Sequence, residues 1–172
     1  MTNRFTQMDC FILAGGAQNP SRDFEPEGEL TRLETRFRRF ASIFERVRLV
    51  LKPSQATERY LNYPHVCDTD ETPSPLVGLM TALRNSNSEA VFVGTCEPSE
   101  IPLEMIVDLV NRYNNEMYLG YRYGAEGRSM IGICHRKLAD QIETGRTSGR
   151  RLGDILSENG TVLPWPSAAI AG

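Results

Sequence analysis

The sequence predicts an α/β fold, a three-layer α/β/α sandwich around a mostly parallel, mixed sheet. Three observations carry that expectation. Short apolar runs alternate with stretches whose apolar residues recur at helical spacing, the pattern of strand–helix–strand units. The first run, Cys10 to Leu13, is apolar at consecutive positions, which suits a strand covered on both faces. It then breaks into Ala14-Gly15-Gly16, at the strand end where open α/β sheets bind their ligands. Glycines there let amide N–H groups converge on an anion or a flat base, although two adjacent glycines also suit an ordinary tight turn.

The elements follow in order. Ala17 to Glu29 is polar, carries Pro20, Pro26 and Gly28, and is expected to be a long loop. Leu30 to Phe44 places Leu30, Leu33, Phe37, Phe40, Ala41 and Phe44 at helical spacing, with Arg32, Arg36, Arg38 and Arg39 as a solvated opposite face. Val47 to Leu51 reads as a strand, Ser54 to Tyr63 as a short helix or turn, and His65 to Asp68 as a short strand. Leu76 to Leu83 is a helix, Ala90 to Val93 a buried strand, and Pro102 opens a helix striped by Leu103, Ile106, Val107 and Val110. Met117–Tyr123 and Ser129–Cys134 are β-prone on either side of a glycine-bearing turn, so they are expected to pair antiparallel. Leu138 to Thr144, ended by Gly145, and Arg151 to Ser157 are short helices; Thr161 to Leu163 is an edge strand stopped by Pro164.

Composition excludes several classes. At 172 residues the chain is expected to be one domain, residues 1–172, with 40% hydrophobic and 24% charged residues. A net charge of −3 gives no electrostatic footing for nucleic acid. No apolar run approaches the roughly 20 residues of a membrane helix. Residues 1–7 lack a secretory core, and Cys10, Cys67, Cys96 and Cys134 show no CxxC spacing, so reduced thiols and a cytoplasmic setting are expected. The basic residues are lopsided, 17 arginines against two lysines, Lys52 and Lys137.

Three stretches together resemble a known family. Phe11-Ile12-Leu13-Ala14-Gly15-Gly16 looks like the LAGG signature of nucleotide-sugar-type nucleotidyltransferases. Ser74 to Leu83 resembles the GPLAG-helix motif, and Val91 to Pro98 the strand ending in CDMP. Their order and spacing are similar to the molybdenum cofactor guanylyltransferases, which attach GMP from GTP to molybdopterin. The run from Arg128 through Gly132, Leu138 and Arg146 to Arg151 resembles that family's C-terminal half. The resemblance implies a nucleotide-diphospho-sugar transferase-like, Rossmann-like sheet. It assigns Leu13, Ala14, Gly15, Gly16, Arg22, Asp68 and Gly78 to nucleotide binding, Arg22 and Glu97 to catalysis, and Glu97 and Asp68 to Mg²⁺ or Mn²⁺. A solvated turn acid fits Asp68 equally well, with Asp70 and Glu71 as nearby reserves. The implied partners are GTP, molybdopterin and molybdoenzyme maturation proteins, with Arg146, Arg150 and Arg151 as candidates for the pterin phosphate or simply a solvated helix start.

Departures from the motifs open a second reading. The family loop after LAGG supplies an arginine, a glycine and a phosphate-gripping lysine; here Arg22 follows at altered spacing and no lysine precedes Lys52. Lysine acts as a compact point charge and arginine as a planar fork, so the exchange is not silent. Ser74 replaces the first glycine of GPLAG, and Glu97 stands where CDMP has its metal-binding aspartate. The family's closing asparagine- and aspartate-bearing segment is not evident in Leu163 to Gly172. The alternative is a non-catalytic relative that binds nucleotide, molybdopterin or a partner enzyme without transfer.

Overall fold

The computed structural model describes residues 5–15, 21–69, 71–96, 101–123 and 129–165. The apolar run near the N-terminus lies within β1 (Phe5–Leu13). Its side chains alternate between two cores, Cys10 and Ile12 to one side of the sheet and Phe11 and Leu13 to the other. That alternation is why four consecutive apolar residues are all needed. β1 pairs in parallel with β4 (Phe44–Leu51) on one side and with β6 (Ala90–Thr95) on the other.

The remaining strands are β5 (His65–Cys67), β7 (Tyr118–Tyr123), β8 (Ser129–His135) and β9 (Thr161–Pro164). They complete a seven-stranded sheet in the order β5-β4-β1-β6-β8-β7-β9. β8 is antiparallel to both β6 and β7, so it alone runs against the other six. The expected antiparallel pair is present, with Tyr118 opposite Cys134 and Tyr123 opposite Ser129. Helices α1 (Arg32–Ala41) and α3 (Leu103–Arg112) cover one face through Leu33, Phe40, Ile106 and Leu109. Helices α2 (Pro75–Arg84), α4 (Leu138–Thr147) and α5 (Leu152–Asn159) cover the other through Leu79, Leu83, Ile142 and Ile155. The layers are those the sequence predicts.

Several boundaries differ. The 17–29 stretch is not a plain loop throughout: a 3-10 turn spans Arg22–Phe24, and β2 (Pro26–Glu27) pairs with β3 (Leu30–Thr31). Helix α1 stops at Ala41, and Phe44 belongs to β4, because a turn at Ser42 and Ile43 closes on Arg39 and Phe40. Gly145 does not end α4; the bare position faces the Ile155 side chain of α5 and lets the two helices touch. Arg36 is not solvated: it is 3% exposed and lies over the Phe40 ring at 5.4 Å. In β7 and β8, Gly120 and Gly132 face each other and Tyr118 lies across both; a Cβ on either would collide with it.

The start of α1 is fixed by a buried acid. Glu34 (5% exposed) accepts from the Thr31 N–H at 2.7 Å, while the Thr31 hydroxyl accepts from the Glu34 N–H at 3.3 Å, a capping box. Arg59 donates to both Glu34 oxygens at 3.0 and 2.6 Å, and the Tyr63 hydroxyl adds a bond at 3.3 Å. The Arg59 bonds, joined by those from Thr31 and opposed by burial, hold the Glu34 carboxyl at a pKa of about 2 against an ordinary 4.5. A depressed folded pKa makes this contribution complete above 4.5 and lost as the pH falls towards 2. Glu34→Gln is therefore expected to be less stable than the parent in urea at neutral pH, with the gap closing as the pH is lowered through that window. A gap that persists at the acid end would refute the assignment.

Candidate nucleotide site

The chain leaves β1, crosses to β4 and β5, and returns past β1 to β6, so the order reverses at the carboxyl end of β1. That reversal opens a crevice between neighbouring strand ends. Leu13 stands opposite Val50 of β4 and Thr95 of β6, which brings residues 14–15, 52 and 96 to one edge. The Ala14 N–H donates to the Val50 carbonyl at 3.1 Å, carrying the ladder one residue beyond the strand.

Gly15 has a φ of +76°, a conformation that costs any other L-residue about 1 kcal/mol or more. A Cβ there would also meet the Gln55 amide nitrogen. The Gly15 N–H is already taken: buried Asp23 accepts it through Oδ2 at 2.8 Å. Gln55 is held in turn, its Oε1 accepting the Lys52 N–H at 2.8 Å. The glycine turn is thus closed by one carboxylate and one carboxamide of its own chain.

The second cluster lies at the ends of β4 and β5. Asp68 is 7% exposed and donates its N–H to the Leu51 carbonyl at 2.8 Å. Its Oδ2 accepts from the Lys52 ammonium at 2.6 Å, and Lys52 also donates to the Thr72 carbonyl at 2.7 Å. Leu13 and Asp68 both face Gly78 of α2: a Cβ at 78 would lie 3.6 Å from Leu13 and 3.9 Å from Asp68, ordinary contact distances. Three residues assigned by the family resemblance are therefore neighbours. Arg22 lies in the 3-10 turn just before Asp23. Gly16, Glu97 and Asp70 lie outside the described residues. Glu71 is held by Ser54, whose N–H and hydroxyl donate to it at 2.8 and 2.7 Å. Arg150 pairs with Glu158, and Arg146 and Arg151 are exposed.

Among the described residues no three His, Cys, Asp or Glu side chains converge as a metal centre. An ammonium satisfies Asp68 Oδ2, so the described residues do not fit Mg²⁺ by themselves, and no step is assigned to it.

Sequence reasoning missed Lys52, Asp23, Gln55 and Arg36. Lys52 was discoverable as the first residue beyond an apolar strand, hence at the ligand edge. Arg36 reaches the same edge from α1, donating to the Cys96 carbonyl at 2.9 Å. Beside it, Glu27, Arg32, Thr35 and Arg39 frame a depression of about 20 Å³, room for one water.

Comparison with known proteins agrees with this fold. Residues 10–162 match the model of the MobA-like NTP transferase domain. The chain is 25% identical over 138 residues to the probable molybdenum cofactor guanylyltransferase of Aquifex aeolicus, covering 78% of this chain and 67% of that protein. In structure it is similar to molybdopterin-guanine dinucleotide biosynthesis protein A of Archaeoglobus fulgidus, with a TM-score of 0.69, 14% identity, and 95% and 85% of the two chains covered. It is also similar to 2-C-methyl-D-erythritol 4-phosphate cytidylyltransferase of Thermus thermophilus, with a TM-score of 0.67, 13% identity, and 96% and 91% covered.

The two glycines separate fold from site. Gly78→Ala is expected to cost nothing and to add up to about 1 kcal/mol of stability in chemical denaturation, since its Cβ meets only ordinary contacts and alanine is the better helix former. Gly15→Ala is expected to cost about 1–2 kcal/mol through its positive φ and Gln55. Equal losses would contradict the geometry. The match across residues 10–162, over a sheet whose order reverses at the glycine turn, shows that the chain belongs to the MobA-like NTP transferase domain family.

Proposed function

We propose that the protein is a guanylyltransferase that transfers GMP from GTP to molybdopterin. The observation that carries the reading is the meeting of Leu13, Asp68 and Gly78 beside the glycine turn at the carboxyl edge of the sheet. The family membership supplies the nucleotidyl-transfer chemistry. In that reaction a phosphate oxygen of the acceptor attacks the α-phosphorus of GTP in line. A phosphoanhydride bond forms, the α–β bond breaks, and pyrophosphate leaves with the electron pair. The protein contributes by holding the reacting groups in line and by stabilising charge. The nucleotide would lie against the turn at Ala14 and Gly15, whose N–H groups are donated to Val50 and Asp23; Gly78 gives the room a side chain would fill, and Arg22 is the nearest loop cation in sequence. Mg²⁺ enters this proposal through Glu97, with GTP as the ligand that would carry the ion in. Molybdoenzyme maturation proteins are the proposed recipients of the product, and a cytoplasmic setting fits that role.

A second reading, nucleotide or cofactor binding without transfer, is favoured by one contact. Asp23 occupies the Gly15 N–H, and no lysine precedes Lys52 in the loop. The two readings part in a single series of measurements. Calorimetry with GTP, ATP and CTP, with and without Mg²⁺, is expected to give selective GTP binding strengthened by the ion. Incubation with molybdopterin should then release pyrophosphate. Binding without release would establish the second reading, and no binding at millimolar nucleotide would sink both.

A further inference from the structure

The glycine turn holds an anion that the chain itself supplies. Asp23 is 7% exposed, and its Oδ2 accepts the Gly15 N–H at 2.8 Å. Gly15 takes a φ of +76° there, a backbone conformation that turns an amide N–H out to meet a negative oxygen. A carboxylate oxygen and a phosphate oxygen make the same demand on such a donor, since both are ionised acceptors. The neighbouring Ala14 N–H is committed to the Val50 carbonyl at 3.1 Å. With Asp23 seated, both described amides of the turn are therefore taken. A single N–H does not serve two anions, and two negative oxygens brought to it repel one another. A phosphate arriving at Gly15 meets the carboxylate as a rival.

The way Asp23 is carried lets the two exchange. It stands in the 3-10 turn Arg22–Phe24, and the anchors of that turn lie on its C-terminal side. The Phe24 ring meets Tyr60 edge-on with centroids 5.4 Å apart, and the Arg32 N–H donates to the Glu25 carbonyl at 3.3 Å. The Thr31–Glu34 capping box follows. Rotation of the Asp23 side chain to another rotamer takes the carboxylate off Gly15 and breaks none of these contacts.

We propose that Asp23 is a built-in competitor for phosphate. Its carboxylate and the polyphosphate group of a nucleotide are alternative occupants of the Gly15 N–H, and the second enters by displacing the first. The contact is autoinhibitory, because apparent affinity for a polyphosphate falls with the fraction of molecules in which the carboxylate is seated. This inference rests on the reading that the turn receives a nucleotide.

The test uses a polyphosphate with no base beside one that has it. Inorganic tripolyphosphate and GTP are titrated calorimetrically into the parent, Asp23→Ala, Asp23→Asn and Glu25→Gln, each checked for folding by circular dichroism. Glu25 is exposed and adjoins the same turn, so its substitution removes an equal charge while Asp23 stays seated. Asp23→Ala is expected to bind tripolyphosphate at least about tenfold more tightly than the parent, and Glu25→Gln to stay within about twofold. Asp23→Asn, a neutral acceptor of the same shape, is expected to fall between them. Sodium formate, which can refill the vacated place, is expected to reverse the gain in Asp23→Ala and to leave the parent unchanged.

Equal gains in Asp23→Ala and Glu25→Gln would reduce the effect to bulk charge and overturn the inference. Weaker binding in the Asp23 variants would overturn it too, since the carboxylate would then be building the turn for its ligand. Where neither variant folds, the parent decides: the Gly15 amide and the Asp23 carboxyl carbon, followed by NMR, are expected to shift together as tripolyphosphate is added. A carboxyl carbon that stays put up to the highest concentration overturns the displacement. GTP binding to the parent with no gain in Asp23→Ala overturns the inference and leaves guanylyl transfer standing. A gain for tripolyphosphate with no GTP binding by any variant supports the displacement and sinks the guanylyltransferase reading.

Discussion

The site depends on β1 being hydrogen-bonded along both edges and buried on both faces. Its pairing with β4 and β6 continues to Leu13, so the backbone that follows emerges between two neighbouring strand ends with its direction already set. Phe11 and Leu13 on one side and Cys10 and Ile12 on the other leave that strand no alternative register that keeps both cores filled. Gly15 can then turn into the left-handed region, and Lys52, Asp68 and Cys96 come to the same edge because their strands are locked to β1 or to its neighbour.

At that edge the chain's own side chains engage several of its polar groups. Asp23 accepts from Gly15, Gln55 accepts from Lys52, and Lys52 neutralises Asp68. An arginine approaches from the opposite face, where Arg36 grips the Cys96 carbonyl. Helix α1 therefore brings the Arg36 guanidinium to that edge, while the charge of Lys52, one residue beyond β4, is neutralised by Asp68.

Much of the fold was legible because burial on both faces leaves a local mark: the apolar runs of β1, β4 and β6 each read as strands. The antiparallel pair β7–β8 was legible from two β-prone runs and a glycine-bearing connection. The misreadings arose where a long-range contact overrode a local signal. Phe44 keeps the helical spacing of α1 but is taken by the sheet, and Gly145 stays helical because Ile155 fills the space beside it. Arg36 reads as surface because guanidinium groups usually are; only the carbonyl of a residue 60 positions away makes its burial affordable. For the same reason the site was legible as a set of names and not as a network. Leu13, Asp68 and Gly78 could be taken from motifs, whereas the Lys52–Asp68 pair joins two strand ends that no spacing connects.

The far half of the sheet obeys a different rule, visible in the slot that Tyr118 fills. Its ring runs along β7 and across to β8, over the two facing glycines at 120 and 132. No single substitution at either glycine is compatible with the tyrosine, and a smaller residue at 118 would leave a trough that both glycines expose. The three positions are consequently a unit of inheritance: in any descendant chain they must drift together, by passing through an intermediate less fit than either end, or stay as they are. Such a lock guards the shape of the sheet without touching the ligand edge.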